Sequence, residues 1–194
     1  MRAMRELADE KSMAELVNTL AAKVIREIDQ RPGEAWALVG VRSRGDLIAQ
    51  RLADQLDGRP LVGVGSVDIT LYRDDLSEIG PSAVVQTTDV PFAIDDVNVV
   101  LVDDVLMTGR SIRAALQAIM DLGRPRRVWL SVLVDRGGRQ LPITPDHVAL
   151  DLTGKTADAA CGGGELDEDE KIVVRVKPHN DRDAILVQRV GEQA

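Results

Sequence analysis

Thirteen residues, Val99 to Ser111 (VVLVDDVLMTGRS), constrain this chain more than any others. They continue an aliphatic, β-branched run from Val97 to Val102, interrupted only by Asn98, which is the composition of a strand buried on both faces of a parallel sheet. Asp103 and Asp104 follow at the carboxyl end of that strand. After a short apolar spacer comes Thr108-Gly109-Arg110-Ser111, and Ile112, Ala115, Leu116 and Ile119 then recur at helical spacing. The order is strand, acidic pair, small-residue turn, helix.

Each part has a chemical use. Gly109 admits a backbone conformation that other residues resist and lets a ligand approach closely, while Thr108 and Ser111 add hydroxyls beside the free N–H groups of a helix start. That arrangement suits a phosphate. The carboxylates repel a phosphate, so they face hydroxyl donors or a cation, for which vicinal sugar hydroxyls or Mg²⁺ would serve. Phosphate at one end and hydroxyls at the other describe a ribose 5-phosphate. An Asp pair alone before a helix is more often a solvated turn with a cap; the whole string in its strand and helix context is far more specific.

Along the rest of the chain the same pattern returns. Ser12-Met13-Ala14-Glu15 has the form of a capping box, and Leu16 to Ile28 then mark one face of a helix that Arg31-Pro32-Gly33 stops. Trp36 to Val41 reads as a short buried strand, followed by Arg42-Ser43-Arg44-Gly45, a natural anion site of guanidinium forks and free N–H groups, and by a helix through Ile48, Leu52 and Leu56. Leu61 to Leu71 is another β-rich run; from Tyr72 to about Asp95 the chain is polar and turn-rich, a length that suits a lid over a reactive sugar centre. Val128 to Val134 forms the next strand and ends in Asp135-Arg136-Gly137-Gly138-Arg139. Three polar turns at strand carboxyl ends are expected to converge on one crevice. Residues 151 to 170 read as a solvated acidic and glycine-rich insertion, and Ile172 to Val176 and Ala184 to Val187 as two closing strands. His147 and His179 have no metal-ligand cluster or nucleophile near them in sequence and are expected to be structural or surface residues.

Composition removes several alternatives. With 194 residues the chain fits one domain with an appendage, and 44% apolar with 29% charged residues describes a soluble globular protein. No apolar run is long enough for a membrane span, no secretory leader is expected, and a single cysteine, Cys161, suits a reducing cytoplasm. A net charge of −8 is not what bulk affinity for nucleic acid requires, and two Trp, one Tyr and one Phe leave little for a base-stacking platform.

Taken together, GVRSRG (Gly40 to Gly45), DITLYRDDLS (Asp68 to Ser77), LVDDVLMTGRS (Leu101 to Ser111) and LVDRGGRQLPI (Leu133 to Ile143) resemble the family of bifunctional pyrimidine operon attenuators and uracil phosphoribosyltransferases, within the type I phosphoribosyltransferases. The resemblance implies an α/β fold, a parallel sheet flanked by helices with a small hood subdomain, the whole chain forming one domain with a core over about 12 to 150 and the hood and insertion over about 151 to 194. It implies conversion of uracil and 5-phosphoribosyl 1-diphosphate (PRPP) to UMP and diphosphate, with Mg²⁺ carried on PRPP, in a cytoplasmic homodimer or homotetramer that also binds pyrimidine-operon mRNA. By the same resemblance Asp103 and Asp104 are the catalytic pair at the ribose hydroxyls, with Mg²⁺ near them. Val105, Leu106, Met107, Thr108, Gly109, Arg110 and Ser111 form the 5-phosphate loop. Ser43 and Arg44 meet the pyrophosphate, Tyr72, Arg73, Asp74 and Asp75 begin a flexible closing loop, Arg136 sits at the substrate, and Ile172 lines the base pocket from the hood.

Several positions depart from the family pattern. Met107 stands for a usual Tyr, Ser111 for Thr and Gly138 for His; Thr19 and Ala22 occupy positions that carry basic residues, and the insertion at about 156 to 168 is acidic where relatives are short and basic. Phosphate contacts dominate RNA affinity, so these changes predict weakened mRNA binding. The alternative is a regulator that binds RNA and uses the pocket to sense uridine nucleotides or PRPP with little catalysis.

Overall fold

The protein is described from a computed structural model covering residues 4–72, 87–153, 166–167 and 169–189. Arg73, Asp74 and Asp75 of the expected closing loop, and nearly all of the acidic insertion, lie outside the described residues.

Among the described residues the chain runs β1 (Arg5–Ala8), α1 (Glu10–Asp29), β2 (Trp36–Val41), α2 (Gly45–Ala53), β3 (Leu61–Val67), a 3₁₀ turn (Thr70–Tyr72), β4 (Asn98–Leu106), α3 (Arg110–Leu122), β5 (Arg127–Asp135), β6 (His147–Asp151), β7 (Glu170–Arg175) and β8 (Ala184–Arg189). Five strands form a parallel sheet in the order β3-β2-β4-β5-β6. Its chain order reverses between β2 and β4, which makes the carboxyl ends of those two strands the topological switch point where open α/β sheets hold ligands.

Helices cover both faces, as an all-parallel sheet requires. On one face Met13, Val17, Leu20 and Val24 of α1 and Ile48 and Leu52 of α2 pack on Leu38, Val100, Val102 and Leu133. Each such fully buried aliphatic side chain contributes about 1.5–3 kcal/mol relative to an exposed one. On the other, Ile112, Ala115 and Ile119 of α3 pack on Val39, Val99, Leu101 and Val132. Up to Val102 the central strand β4 is therefore apolar on both sides apart from Asn98 at its start, which donates through Nδ2 to Glu34 Oε2 at 2.7 Å.

The hood is an antiparallel sheet in the order β1-β8-β7. Its Val174, Ile185 and Val187 continue the core on the α1 and α2 face. Arg51 of α2 fastens it through a bidentate contact to Asp183, at 2.6 and 3.0 Å. The N-terminal β1 belongs to this sheet, ahead of the core expected over about 12 to 150. The residues around it carry too short a pattern to be read as a strand.

Two local expectations are corrected. The cap of α1 is Asp9, whose Oδ1 accepts from the Ser12 amide at 2.9 Å, so Ser12 lies in the first turn instead of capping it. The central strand extends to Leu106, four residues beyond Val102, because the ladder to β5 continues through Asp103, Val105 and Leu106. The acidic pair thus projects from within the strand's last turn of pleat. That backbone is held more rigidly than a loop would be.

Candidate functional site

The site is built where β2, β3 and β4 end. Gly40, the fifth residue of β2, and Gly45, the first of α2, bring the intervening loop down onto the sheet: a Cβ on Gly45 would meet Val102 O at 2.4 Å, and one on Gly40 would meet Asp46 Cα at 2.3 Å. Absence of side chains at both positions lets Arg42, Ser43 and Arg44 turn above the edge of β4. The Arg42–Ser43 peptide in this loop is cis.

Val41, Arg42, Ser43, Arg44, Asp68, Ile69, Thr70, Asp103, Asp104, Val105 and Ser111 enclose a cavity of about 330 Å³, within the range that takes a small-molecule ligand. Arg42 Nε donates to Ser66 Oγ at 2.9 Å, and Arg44 Nη1 reaches Asp104 Oδ2 at 3.4 Å across the cavity. Beyond β3, the Asp68 carboxylate accepts from Thr70 N and Oγ1 at 2.9 and 2.6 Å, closing a tight turn on the third wall. The sequence signalled Arg42, Ser43, Arg44, Asp103 and Asp104; Asp68 and Thr70 join the lining because β3 lies next to β2, an adjacency no local pattern announces.

Burial pushes the Asp103 carboxyl well above the usual carboxylate range, and the neighbouring Asp104 charge pushes the same way. Asp104 is also raised by burial, with the Arg44 guanidinium pulling it back. Each carboxylate accepts the next backbone amide: Asp104 N donates to Asp103 Oδ1 at 2.9 Å and Val105 N to Asp104 Oδ1 at 2.8 Å. One oxygen of each is thereby oriented by the chain itself.

The turn after β4 places Gly109 at φ +89, between Thr108 and α3. A side chain there would also crowd Ile143 Cδ1, 3.3 Å from an added Cβ. Met107, Thr108, Gly109 and Arg110 lie beside the cavity on this turn, Arg110 N donating to Thr108 Oγ1 at 3.3 Å and Arg110 Nε to Gln140 Oε1 at 2.8 Å. Leu106 is buried in the α3 face, while Val105 lies on the hood side and Ser111 opens onto the cavity.

Two of the sequence-marked residues stand apart from the cavity lining. Arg136 points to the hood, where its Nε and Nη2 donate to Glu170 O at 3.0 and 2.6 Å and Nη2 to Asp167 O at 2.9 Å. Ile172 is half-buried on β7, opposite Val187, and packs on the hood-side core with Val105. Tyr72 is fixed at the end of the 3₁₀ turn, its hydroxyl donating to Asp121 Oδ2 at 2.8 Å and its carbonyl accepting from Arg113. Gly138 and Met107, two of the departures from the family pattern, are neighbours: a Cβ at 138 would lie 3.8 Å from Met107 Cγ. His147 is buried and hydrogen-bonded to Ser131, a structural placement far from the cavity in the sheet order.

Among the described residues no group of three or more His, Cys, Asp or Glu side chains could hold a metal by itself. Two vicinal carboxylates in a cavity suit an ion that takes most of its ligands from water and from a phosphorylated substrate, which is the habit of Mg²⁺. No helix among the described residues is long and apolar enough to cross a membrane.

Comparison with known proteins agrees with this architecture. The phosphoribosyl transferase domain family matches residues 3–169. The bifunctional protein PyrR of Desulfosudis oleivorans is 47% identical over 165 residues, covering 81% of this chain and 91% of that protein. The bifunctional protein PyrR of Chloroflexus aurantiacus is 42% identical over 181 residues, covering 91% and 92%. Among solved structures, the hypoxanthine phosphoribosyltransferase of Trypanosoma cruzi superposes with a TM-score of 0.60 at 17% identity, covering 97% of this chain and 98% of that one, a likeness of fold alone.

Proposed function

This chain belongs to the bifunctional PyrR family of phosphoribosyltransferases, and on that premise we propose that it is a uracil phosphoribosyltransferase, converting uracil and PRPP to UMP and diphosphate. The observation that carries the proposal is the convergence of an arginine loop, an acidic pair and a glycine turn on one cavity at the switch point of the sheet. These are the three chemistries that a phosphorylated ribose bearing a pyrophosphate requires. Ser43 and Arg44 meet the pyrophosphate, Asp103 and Asp104 the ribose hydroxyls, and the 105–111 turn the 5-phosphate. Ile172 and Arg136, at the hood junction, border the base.

In the reaction the bond from the anomeric carbon to pyrophosphate breaks, a bond to the uracil ring nitrogen forms, and the proton of that nitrogen is released. Positive charge grows on the ribose ring and negative charge on the leaving group. In this reading Asp103 and Asp104 offset the former and Arg44 the latter. Asp103 and Asp104 would hold Mg²⁺ brought with PRPP, which would supply positive charge to offset that of the pyrophosphate. No protein nucleophile is required, in keeping with a lining of Arg, Asp, Ser and Thr.

The test is pyrophosphate release by the purified chain with PRPP and Mg²⁺, comparing uracil with hypoxanthine, adenine and orotate. Turnover confined to uracil supports the proposal, and turnover with a purine alone overturns it.

The regulatory half of the family's name has a separate reading here. Helix α1 carries Lys11, Lys23 and Arg26 against Glu10, Glu15, Glu27 and Asp29, and Lys23 Nζ is already engaged by Val148 O at 2.7 Å. With Thr19 and Ala22 exposed on this helix, the chain offers little to RNA phosphates. We propose that it binds pyrimidine-operon mRNA weakly, as a cytoplasmic homodimer or homotetramer formed by a single domain. Filter binding of leader RNA with and without UMP tests the first part, and sedimentation the second.

A further inference from the structure

We infer that Arg139 is a positioning residue for the phosphate turn: it holds two successive carbonyls, the backbone of its own segment holds the third, and three successive amides are thereby left to face the ligand. The inference rests on the reading of the cavity as a PRPP site and assigns the shape of its 5-phosphate subsite to a side chain that touches no ligand.

Arg139 spends its guanidinium on the turn and its bed. Nη1 donates to Met107 O at 2.9 Å and Leu106 O at 3.4 Å, Nε to Ile143 O at 2.9 Å, and Nη2 to Asp135 Oδ2 at 2.6 Å. The same segment supplies three backbone donors: Arg136 N to Leu106 O at 2.9 Å, and Gln140 N and Leu141 N to Thr108 O at 3.0 and 3.1 Å. The carbonyls of Leu106, Met107 and Thr108 are thus all bonded from one side.

The consequence follows from peptide geometry. The peptides joining 106 to 109 are trans, so each N–H points opposite to the carbonyl that precedes it. Carbonyls of 106, 107 and 108 turned toward the 136–143 segment therefore turn the amides of Met107, Thr108 and Gly109 away from it. Among the described residues those three amides donate to no protein group. Consecutive free amides on one side of a turn make an anion nest. Gly109 lies against Ile143 and Leu141, 3.3 and 3.5 Å from an added Cβ, so the turn rests on the segment that Arg139 organises.

Lysine at 139 would carry the charge but not the planar fork, and a single ammonium cannot reach acceptors spread from Asp135 to Met107 and Ile143. Arg139→Lys and Arg139→Gln should therefore raise the KM for PRPP by about tenfold or more while leaving the KM for uracil within about twofold. The dissociation constant for ribose 5-phosphate, measured by calorimetry on the full chain, should rise in parallel. A folded variant whose PRPP KM and ribose 5-phosphate affinity match the wild type overturns the inference, as does an equal loss in every parameter together with a lowered melting temperature. If neither variant folds, Asp135→Asn keeps Arg139 and removes its carboxylate anchor. It should weaken ribose 5-phosphate binding by a smaller factor, and unchanged affinity there overturns the inference. Should the wild type turn over no base at all, the enzymatic proposal fails, while the calorimetric comparison still decides the role of Arg139.

Discussion

Arg44 and Asp104 face each other across the cavity, guanidinium Nη1 to carboxylate Oδ2 at 3.4 Å, and so join the loop after β2 to the end of β4. On the proposed reading the contact couples the pyrophosphate and ribose subsites. A pyrophosphate that draws Arg44 away releases Asp104 toward the ribose, and at the same time removes the charge that holds the Asp104 carboxyl down against burial. Arg44→Gln should therefore raise the KM for PRPP about tenfold, ~1.4 kcal/mol, the scale of one charged hydrogen bond. It should also move the acid limb of the kcat/KM profile to higher pH. An acid limb that stays in place would show that Asp104 does not titrate in that limb.

Asp103 carries the opposite lesson. Burial and the Asp104 charge raise its carboxyl, so between the ordinary carboxylate range and its raised folded value the native state holds a proton that the unfolded chain has lost. Stability then falls as pH rises through that window, and above it the ionised side chain is a burden on the empty protein. Asp103→Asn should raise the melting midpoint by a few degrees, ~3 °C for each kcal/mol. Turnover should fall by about a hundredfold or more, since the charge facing the ribose is gone. Calorimetry and steady-state rates on the same preparation decide it.

The central strand, the turns after β2 and β4, and α3 were legible because each carries its cause locally: β-branched runs, a glycine where φ is positive, a 3.6-residue apolar period. Ser43, Arg44, Asp103 and Asp104 were found that way. Asp68 and Thr70 were not, because what makes them part of the site is the position of β3 beside β2. Arg136 was marked as a substrate residue from the motif; that its guanidinium donates to the Glu170 and Asp167 carbonyls was not legible, because those positions depend on how β7 docks. β1 and β6 were unread for a related reason: four or five residues, half of them polar, become strands only when a partner offers its edge.

Gly45 offers a test of the loop's support. Its missing side chain is what lets α2 start against β4, and a methyl there would lie 2.4 Å from Val102 O, where only backbone could yield. Gly45→Ala should cost about 3 kcal/mol, the upper range of overpacking penalties, and should weaken PRPP binding through displaced Ser43 and Arg44. Gly58→Ala is the control for positive-φ strain without collision, since Gly58 has φ +74 and nothing within 4 Å of an added Cβ. Urea denaturation of both separates packing from backbone strain.

Arg51 and Asp183 test how the hood is held. Burial raises the Asp183 carboxyl, but the Arg51 hydrogen bond and the Lys177 amide, 2.8 Å from Oδ1, outweigh it and leave it below the ordinary range. Stability from this carboxylate is present above the unfolded value of about 3.9 and is lost as pH falls through the folded one. Arg51→Ala should destabilise by about 1–3 kcal/mol, because it leaves a buried carboxylate with only one backbone donor. It should also raise the KM for uracil more than that for PRPP, since it loosens the hood and not the core.

His147 provides a pH-dependent readout at the far edge of the sheet. The ring is buried on β6 with Nδ1 against Ser131 Oγ at 2.8 Å, stacked on Trp129, and its Nε2 has no partner among the described residues. Burial lowers its affinity for a proton below that of an exposed imidazole. The unfolded chain therefore takes up a proton near pH 6.5 while the folded one resists, and stability that is full above that value declines as pH falls through and below it. His147→Gln removes this dependence and keeps a polar partner for Ser131. Its melting midpoint should lie below the wild type at pH 8 and approach it at pH 5, and a difference constant across that range would show that His147 does not titrate with unfolding.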